Sequence, residues 1–134
     1  MKRLLTCMAF GMAALASQAV TPLWLRDVQV SPDGSAIAFG YKGDIYTVDV
    51  KGGTAKQLTT QASFEGNPIW SPDGKQIAFI YRGEVFVTST DYATTKQITH
   101  TPAAEQGLSF SPDNRSLAYS TERNGNWELV IATI

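Results

Sequence analysis

The tetrapeptide Ser31-Pro32-Asp33-Gly34 returns as Ser71-Pro72-Asp73-Gly74 and again as Ser111-Pro112-Asp113-Asn114, 40 residues apart each time. A motif that recurs at a fixed period says that the chain is built from equal supersecondary units, each of which stacks on its neighbours. Aligned without a gap, Ser31 to Thr60 and Ser71 to His100 agree at 13 of 30 positions. Most of the differences are conservative: Asp44 for Glu84, Ile45 for Val85, Tyr46 for Phe86, Leu58 for Ile98.

Each unit divides into four short strands. The first ends at Val30, Trp70 or Phe110, just before the shared turn. In that turn proline fixes φ, aspartate reaches nearby backbone amides, and the fourth position requires a positive φ, which Gly34 and Gly74 adopt freely and Asn114 tolerates. The second strand contains Ile37-Ala38-Phe39, Ile77-Ala78-Phe79 or Leu117-Ala118-Tyr119. Alanine at one register predicts close approach of a neighbouring sheet, with the large flanking residues on the opposite face. Hairpins at Lys42-Gly43 and Arg82-Gly83 lead to third strands Asp44 to Asp49 and Glu84 to Ser89. In the third unit the hairpin is four residues longer, Glu122-Arg123-Asn124-Gly125-Asn126, an insertion expected at the loop tip. Fourth strands are expected at Lys56-Gln57-Leu58-Thr59 and Lys96-Gln97-Ile98-Thr99; the third unit reaches Ile134 before one. No helical periodicity is sustained outside the first residues, so helix content is expected to be minimal.

Four-stranded units at a 40-residue period predict an all-β fold: a partial β-propeller of about three antiparallel blades, the third incomplete, at about 24–60, 64–100 and 105–134. Closed propellers typically use 4 to 8 blades. The sequence is therefore expected to be part of a longer protein, or to assemble from several copies, or to stand as a three-bladed monomer. Left alone it exposes two apolar faces and an unpaired edge.

The N-terminal residues follow a different grammar. Lys2 and Arg3 precede an apolar run from Leu4 to Leu15, and Ser17-Gln18-Ala19 has the small-x-small form of a cleavage site. Residues 1–19 are expected to be a signal-peptide helix and 20–134 the exported domain, with cleavage after Ala16 as the alternative. The apolar run of about 12 residues is short of the roughly 18 a membrane span needs. Cys7, the only cysteine, falls in this segment, so the mature chain is expected to hold no disulfide. Lys and Arg number 11 against 12 Asp and Glu; without Lys2 and Arg3 the balance is 9 against 12, a charge of −3. That excludes a basic nucleic-acid-binding surface from expectation.

The sequence of Ser-Pro-Asp-Gly, Ile-Ala-Phe, Gly43-Asp44-Ile45-Tyr46 and the closing Gly52-Gly53 with Gln57-Leu58-Thr59 resembles the WD-like repeat of exported bacterial propellers: TolB, dipeptidyl-peptidase-type propellers and tricorn-type serine peptidases. Pro22-Leu23-Trp24-Leu25-Arg26 followed by the first repeat is most similar to the start of the tricorn-type first propeller. TolB-like proteins place an α/β domain ahead of the propeller, for which the short stretch between the expected cleavage point and the first strand is expected to leave no room. Arg82 to Thr88 and Glu122 to Trp127 resemble later blades of that family, as an internal deletion at Ser-Pro-Asp-Gly-Lys would produce. The resemblance implies a periplasmic or secreted, non-catalytic segment that scaffolds a peptidase or admits its substrates. The alternatives are a TolB-like interaction module and a truncated product without independent function. Implied partners are the remaining blades and C-terminal domain of a parent chain, further copies, or a peptide or protein ligand.

No catalytic set is legible. Tricorn-type catalytic residues belong to a C-terminal domain whose motifs are not in this sequence, so no enzyme activity is expected of it, although the parent protein would be a peptidase. His100 stands where Thr60 stands in the first unit and is read as a surface residue. Asp33, Asp73 and Asp113 are read as backbone-bonding turn residues, one per blade, and not as metal ligands; no metal or cofactor is expected. Gly52-Gly53 lacks the lysine and hydroxyl residue of a phosphate loop. Trp70 and Phe110 are expected in the core or along a channel.

Overall fold

The computed structural model describes residues 24–60 and 63–134; the expected signal segment, Cys7 and both cleavage points lie outside them. Eleven strands and no helix are formed among the described residues. Blade 1 contains β1 (Leu25–Val30), β2 (Ala36–Tyr41), β3 (Asp44–Asp49) and β4 (Lys56–Gln57). Blade 2 contains β5 (Glu65–Trp70), β6 (Gln76–Tyr81), β7 (Glu84–Ser89) and β8 (Thr95–Gln97). Blade 3 contains β9 (Glu105–Phe110), β10 (Ser116–Arg123) and β11 (Asn126–Thr133). Strands pair antiparallel with their sequence neighbours throughout, and β5 touches both β1 and β9, so the first strands of the blades lie innermost. The fold is a partial β-propeller.

Local chemistry explains the repeat. In all three Ser-Pro-Asp turns the fourth residue donates its N–H to the serine carbonyl at 2.9 to 3.0 Å. That fourth residue is left-handed: Gly34 at φ +72°, Gly74 at +70° and Asn114 at +61°. The serine hydroxyl donates to the aspartate at 2.6 to 2.7 Å and accepts the N–H that opens the second strand at 2.9 Å. Each turn thus satisfies the backbone groups that a chain reversal would otherwise strand.

Alternation then sorts side chains to two faces. Ala38, Gly40 and Ile45 of blade 1 share one face, as do Ala78, Ile80, Val85 and Val87 of blade 2. The opposite face carries aromatic residues. Phe79 stacks on Phe86 at 5.8 Å with Tyr81 edge-on at 5.5 Å, and Phe39, Tyr46 and Tyr41 repeat the arrangement in blade 1 at 5.9 Å each. Ala78, Val85 and Val87 meet Leu117 and Tyr119 of blade 3 in a buried cluster. The alanine at that register leaves room for the larger residues opposite.

Two local features depart from the sequence reading. The four additional residues of the third unit lengthen the ladder, not the loop: β10 and β11 pair without a break from Ser116↔Thr133 to Arg123↔Asn126. Only Asn124 and Gly125 turn, both at positive φ, as Lys42-Gly43 and Arg82-Gly83 do. A two-residue turn of that kind matches strand twist, so the strand extends to meet it. The fourth strands are also shorter than expected, stopping at Gln57 and Gln97. Beyond them the Leu58 and Ile98 N–H groups still donate to the Ile45 and Val85 carbonyls at 2.8 Å, and the Thr59 and Thr99 hydroxyls complete the pairing by accepting the N–H of Ile45 at 2.9 Å and Val85 at 2.8 Å.

Leu117 is fully buried between blades 2 and 3. Leu117→Ala is expected to lower unfolding free energy by about 3 kcal/mol, as a cavity in a closed core does. Gly74→Asn should cost far less than Gly74→Val, because asparagine tolerates the left-handed conformation and valine does not. Urea denaturation of the three variants measures both.

Candidate functional site

The innermost strands share an irregularity that shapes the axis. Pairing with the second strand breaks between Arg26 and Gln29 in blade 1, between Gly66 and Ile69 in blade 2, and opposite Ala118 to Ser120 in blade 3. The left-handed residue in each break is Asp27 (φ +52°), Asn67 (+54°) or Gly107 (+69°), again 40 residues apart. Aspartate, asparagine and glycine are the residues that reach this region at least cost. The resulting bulges turn the strand and re-aim its side chains.

Between the bulges lies an open groove of about 340 Å³, with Asp27, Gln29, Asn67 and Gln106 as its polar lining and Pro68, Ile69 and Leu108 as its apolar one. All four polar residues are exposed. The Asn67 N–H donates to Asp27 Oδ2 at 3.2 Å, joining blades 1 and 2 along the groove. The Trp70 indole N–H donates to the Gln29 carbonyl at 3.2 Å. Trp70 and Phe110 are both half-buried, and Phe110 packs on the cluster between blades 2 and 3.

Buried carboxylates fix the blades beside this groove. Glu65 opens β5, is fully buried, and accepts a short hydrogen bond from the Thr59 hydroxyl of blade 1. Its own N–H donates to the Gly43 carbonyl at 2.7 Å. Glu105 repeats the contact one blade on, accepting from Thr99 at 2.8 Å and Thr101 at 2.7 Å, while Thr99 also reaches Glu84 at 2.5 Å. Glu84 in addition accepts the Thr101 N–H at 2.9 Å. At the first of these junctions Glu65 Oε1 and Asp44 Oδ1 are buried without a hydrogen-bond partner among the described residues. Burial pushes the Glu65 carboxyl up to about 7, against the pull of the Thr59 hydroxyl and with the help of the Asp44 charge. Asp44 is itself raised by burial, offset by the Gln57 amide.

The repeated turn residues lie at the opposite end of the strands from these glutamates. Ser31, Pro32, Asp33 and Gly34, with their counterparts at 71–74 and 111–114, bond mainly within their own turns, and the Asn114 side-chain oxygen also accepts the Asp73 N–H of the neighbouring blade at 3.0 Å. The Ser31 hydroxyl and Ser35 hold Asp33 down to about 2, and Asp73 and Asp113 are lowered in the same way. His100 is exposed and follows buried Thr99. Among the described residues no three His, Cys, Asp or Glu side chains gather into a metal-binding group. A second cleft, of about 400 Å³, lies between Trp24, Tyr41 and Phe64, where Arg26 sits 6.0 Å from the Phe64 ring and Lys42 5.4 Å from the Tyr41 ring.

Sequence reading found the turns and missed both the bulges and the clasps. The signal was present as the same 40-residue interval, in Asp27, Asn67 and Gly107 and in the pairs Thr59/Thr99 and Glu65/Glu105. Asp, Asn and Gly do not look alike as chemistry, and are united only by the backbone conformation they permit.

Comparison with solved structures gives the fold a context. A putative TolB from Agrobacterium tumefaciens superposes with a TM-score of 0.69 at 18% identity, over 85% of this chain and 53% of its own. TolB from Acinetobacter baumannii gives 0.69 at 29% identity, over 79% of this chain and 29% of its own. The tricorn protease gives 0.62 at 15% identity, over 72% and 11%. This chain thus spans about half of the first protein and under a third of the second. No family model matches the sequence, and no curated protein does. The described residues thus share the blade architecture of these propellers.

Stability should pass through a maximum on the acid side of neutrality. A carboxyl whose pKa is raised on folding stabilises the fold fully below its ordinary 4.5, and that contribution is lost as pH climbs through about 7. For Glu65 the loss is on the order of 2 kcal/mol. Asp33 acts in the opposite sense, its contribution being present above 3.8 and lost as pH falls towards about 2. Urea midpoints measured from pH 3 to 9 are expected to fall between roughly 5 and 8 in the native chain, and Glu65→Gln should flatten that decline.

Proposed function

We propose that this chain is a non-catalytic propeller segment that engages an extended peptide along its axial groove, and that it belongs to an exported tricorn-type peptidase whose catalytic domain lies elsewhere. The observation that carries the reading is the groove itself. Its exposed polar lining consists of the Gln29, Asn67 and Gln106 amides with one carboxylate, Asp27. Carboxamides both donate and accept, so they pair with the main chain of a peptide whatever its side chains. No activated nucleophile stands beside them: the described chain has one histidine, His100, and it is exposed beyond the end of β8. The groove can hold and orient a chain but has no means to cut it.

The similarity to the tricorn protease supports this reading. The higher identity to Acinetobacter baumannii TolB, 29%, supports a second: a module that binds a folded protein on the same axial surface, without any peptidase. On both readings the chain acts outside the cytoplasm, with residues 1–19 as its export signal.

Fluorescence anisotropy with labelled unstructured peptides separates the two. Peptide capture should be weakened several-fold by Asn67→Leu or Gln106→Leu, each removing a hydrogen bond worth about 1 kcal/mol, and no peptide should be cleaved. Equal anisotropy for native and variant chains would falsify the groove as a peptide site.

A further inference from the structure

The cleft of about 400 Å³ beside Phe64 opens between blades 1 and 2, at the end of the strands away from the Ser-Pro-Asp turns. Both of these blades have their four strands, so no further element is needed to form it. Buried Gly40 lines it. This residue is in mid-strand, paired with Arg26 on one side and Ile45 on the other, and its φ is not positive. A Cβ there would meet nothing nearer than the Arg26 carbonyl at 3.6 Å, an ordinary contact. Neither conformation nor crowding calls for glycine. Inside a strand it weakens the sheet, and it often marks a place that a ligand approaches closely. At the same register blade 2 has Ile80, which pairs with Gly66 and Val85. Gly40 therefore opens at the first joint a space into which an isoleucine projects at the second.

The walls of this space are aromatic and its rim is cationic. Trp24 and Phe64, equivalent residues 40 positions apart, are 67% and 59% exposed, an arrangement that suits a bulky apolar side chain between them. Arg26 and Lys42 are exposed and lie 6.0 Å and 5.4 Å from the Phe64 and Tyr41 rings. On the far side of Phe64 a second hollow, of about 320 Å³, adds Arg82, which donates to the Ser63 hydroxyl at 3.1 Å. None of the three cations has a carboxylate partner: the described residues form one ion pair, Arg123 with Glu128, and the remainder of the sequence contains no Asp or Glu. Two acids border the region. Asp27 accepts the Asn67 N–H, and Glu65, next to Phe64, is buried against Thr59.

We propose that this cleft is a second binding site, which takes a bulky apolar side chain of a partner polypeptide whose neighbouring residues are acidic. The apolar side chain enters above Gly40 between Trp24 and Phe64, and the carboxylates beside it meet Arg26, Lys42 and Arg82. The occupant is a polypeptide because the two hollows lie side by side about Phe64, each with a cation that has no carboxylate, so that successive residues of one extended segment reach both. The site is separate from the axial groove, whose amides pair with main chain whatever the side chains, and it stands whether or not the groove holds a peptide.

The probe is a labelled peptide with one phenylalanine between glutamates, followed by anisotropy on the purified chain. Replacing its glutamates by lysines should weaken binding about tenfold, and replacing its phenylalanine by alanine several-fold. Affinity should fall as salt is raised. Gly40→Ile, which gives blade 1 the residue of blade 2, should weaken binding about tenfold without lowering the urea midpoint. Arg26→Gln combined with Lys42→Gln should weaken it to a similar extent and remove most of the salt dependence, and it keeps the test decisive where the isoleucine variant misfolds. No binding by the native chain, equal binding of the glutamate and lysine peptides, or full binding by both variants overturns the proposal. So does loss of binding in Gln106→Leu with none in Gly40→Ile, which would place the peptide in the groove.

Discussion

A β-sheet with two apolar faces can be stable only as a slice between two others, and every feature of this chain follows from that requirement. Alanine holds the same register in every blade, sharing its face with Ile45 in blade 1 and Val85 and Val87 in blade 2, while the opposite face of those blades carries the aromatic residues, so the two sides of a slice differ in shape. Stacking such slices gives a ring, because a twisted sheet that always presents the same side forwards rotates its successor by the same amount. Where a neighbour is present, burial is complete, as at Ile45, Val85 and Leu117. At Leu129 and Ile131, which no neighbour covers, the same side chains face water.

Apolar packing alone would let blades slide, since one flat aliphatic face resembles another. The Thr59–Glu65 and Thr99–Glu105 contacts supply the direction that packing lacks. A buried carboxyl is costly unless its oxygens are bonded, so a displaced blade would strand it, which makes the aligned arrangement the preferred one. Glu105 has Thr99 and Thr101 on its two oxygens; among the described residues Glu65 has Thr59, and burial, helped by the Asp44 charge, raises it towards neutrality. Position 61 and position 62 lie outside the described residues, and the residue that echoes Thr101 is among them.

The parts of the fold legible in the sequence were those in which geometry demands one residue type. Proline, aspartate and a glycine or asparagine in the shared turn have few substitutes, and the alternation of Ile-Ala-Phe states both strand and face. The bulges and the ends of the fourth strands were not legible, because several residue types satisfy them. Asp27, Asn67 and Gly107 share only a tolerance of positive φ, and Thr59 and Thr99 look like ordinary strand residues until their hydroxyls are seen to complete the pairing. The longer third hairpin misled for a related reason: four inserted residues can lengthen a loop or a ladder, and the tight Asn124-Gly125 turn decides for the ladder.

The same constraint separates what recurs from what does not. The Ser-Pro-Asp turn recurs in all three blades and the Thr–Glu contact at both junctions, each at a 40-residue interval, since the blades pack as similar units. The groove is different. Asp27, Asn67 and Gly107 keep the backbone conformation yet present a carboxylate, an amide and a bare backbone. A scaffold needs the bulge in every blade, while a binding surface gains from unlike groups around its axis, because a ligand can then be held in one orientation only. The groove of this chain carries such unlike groups, the Asp27 carboxylate beside the Gln29, Asn67 and Gln106 amides.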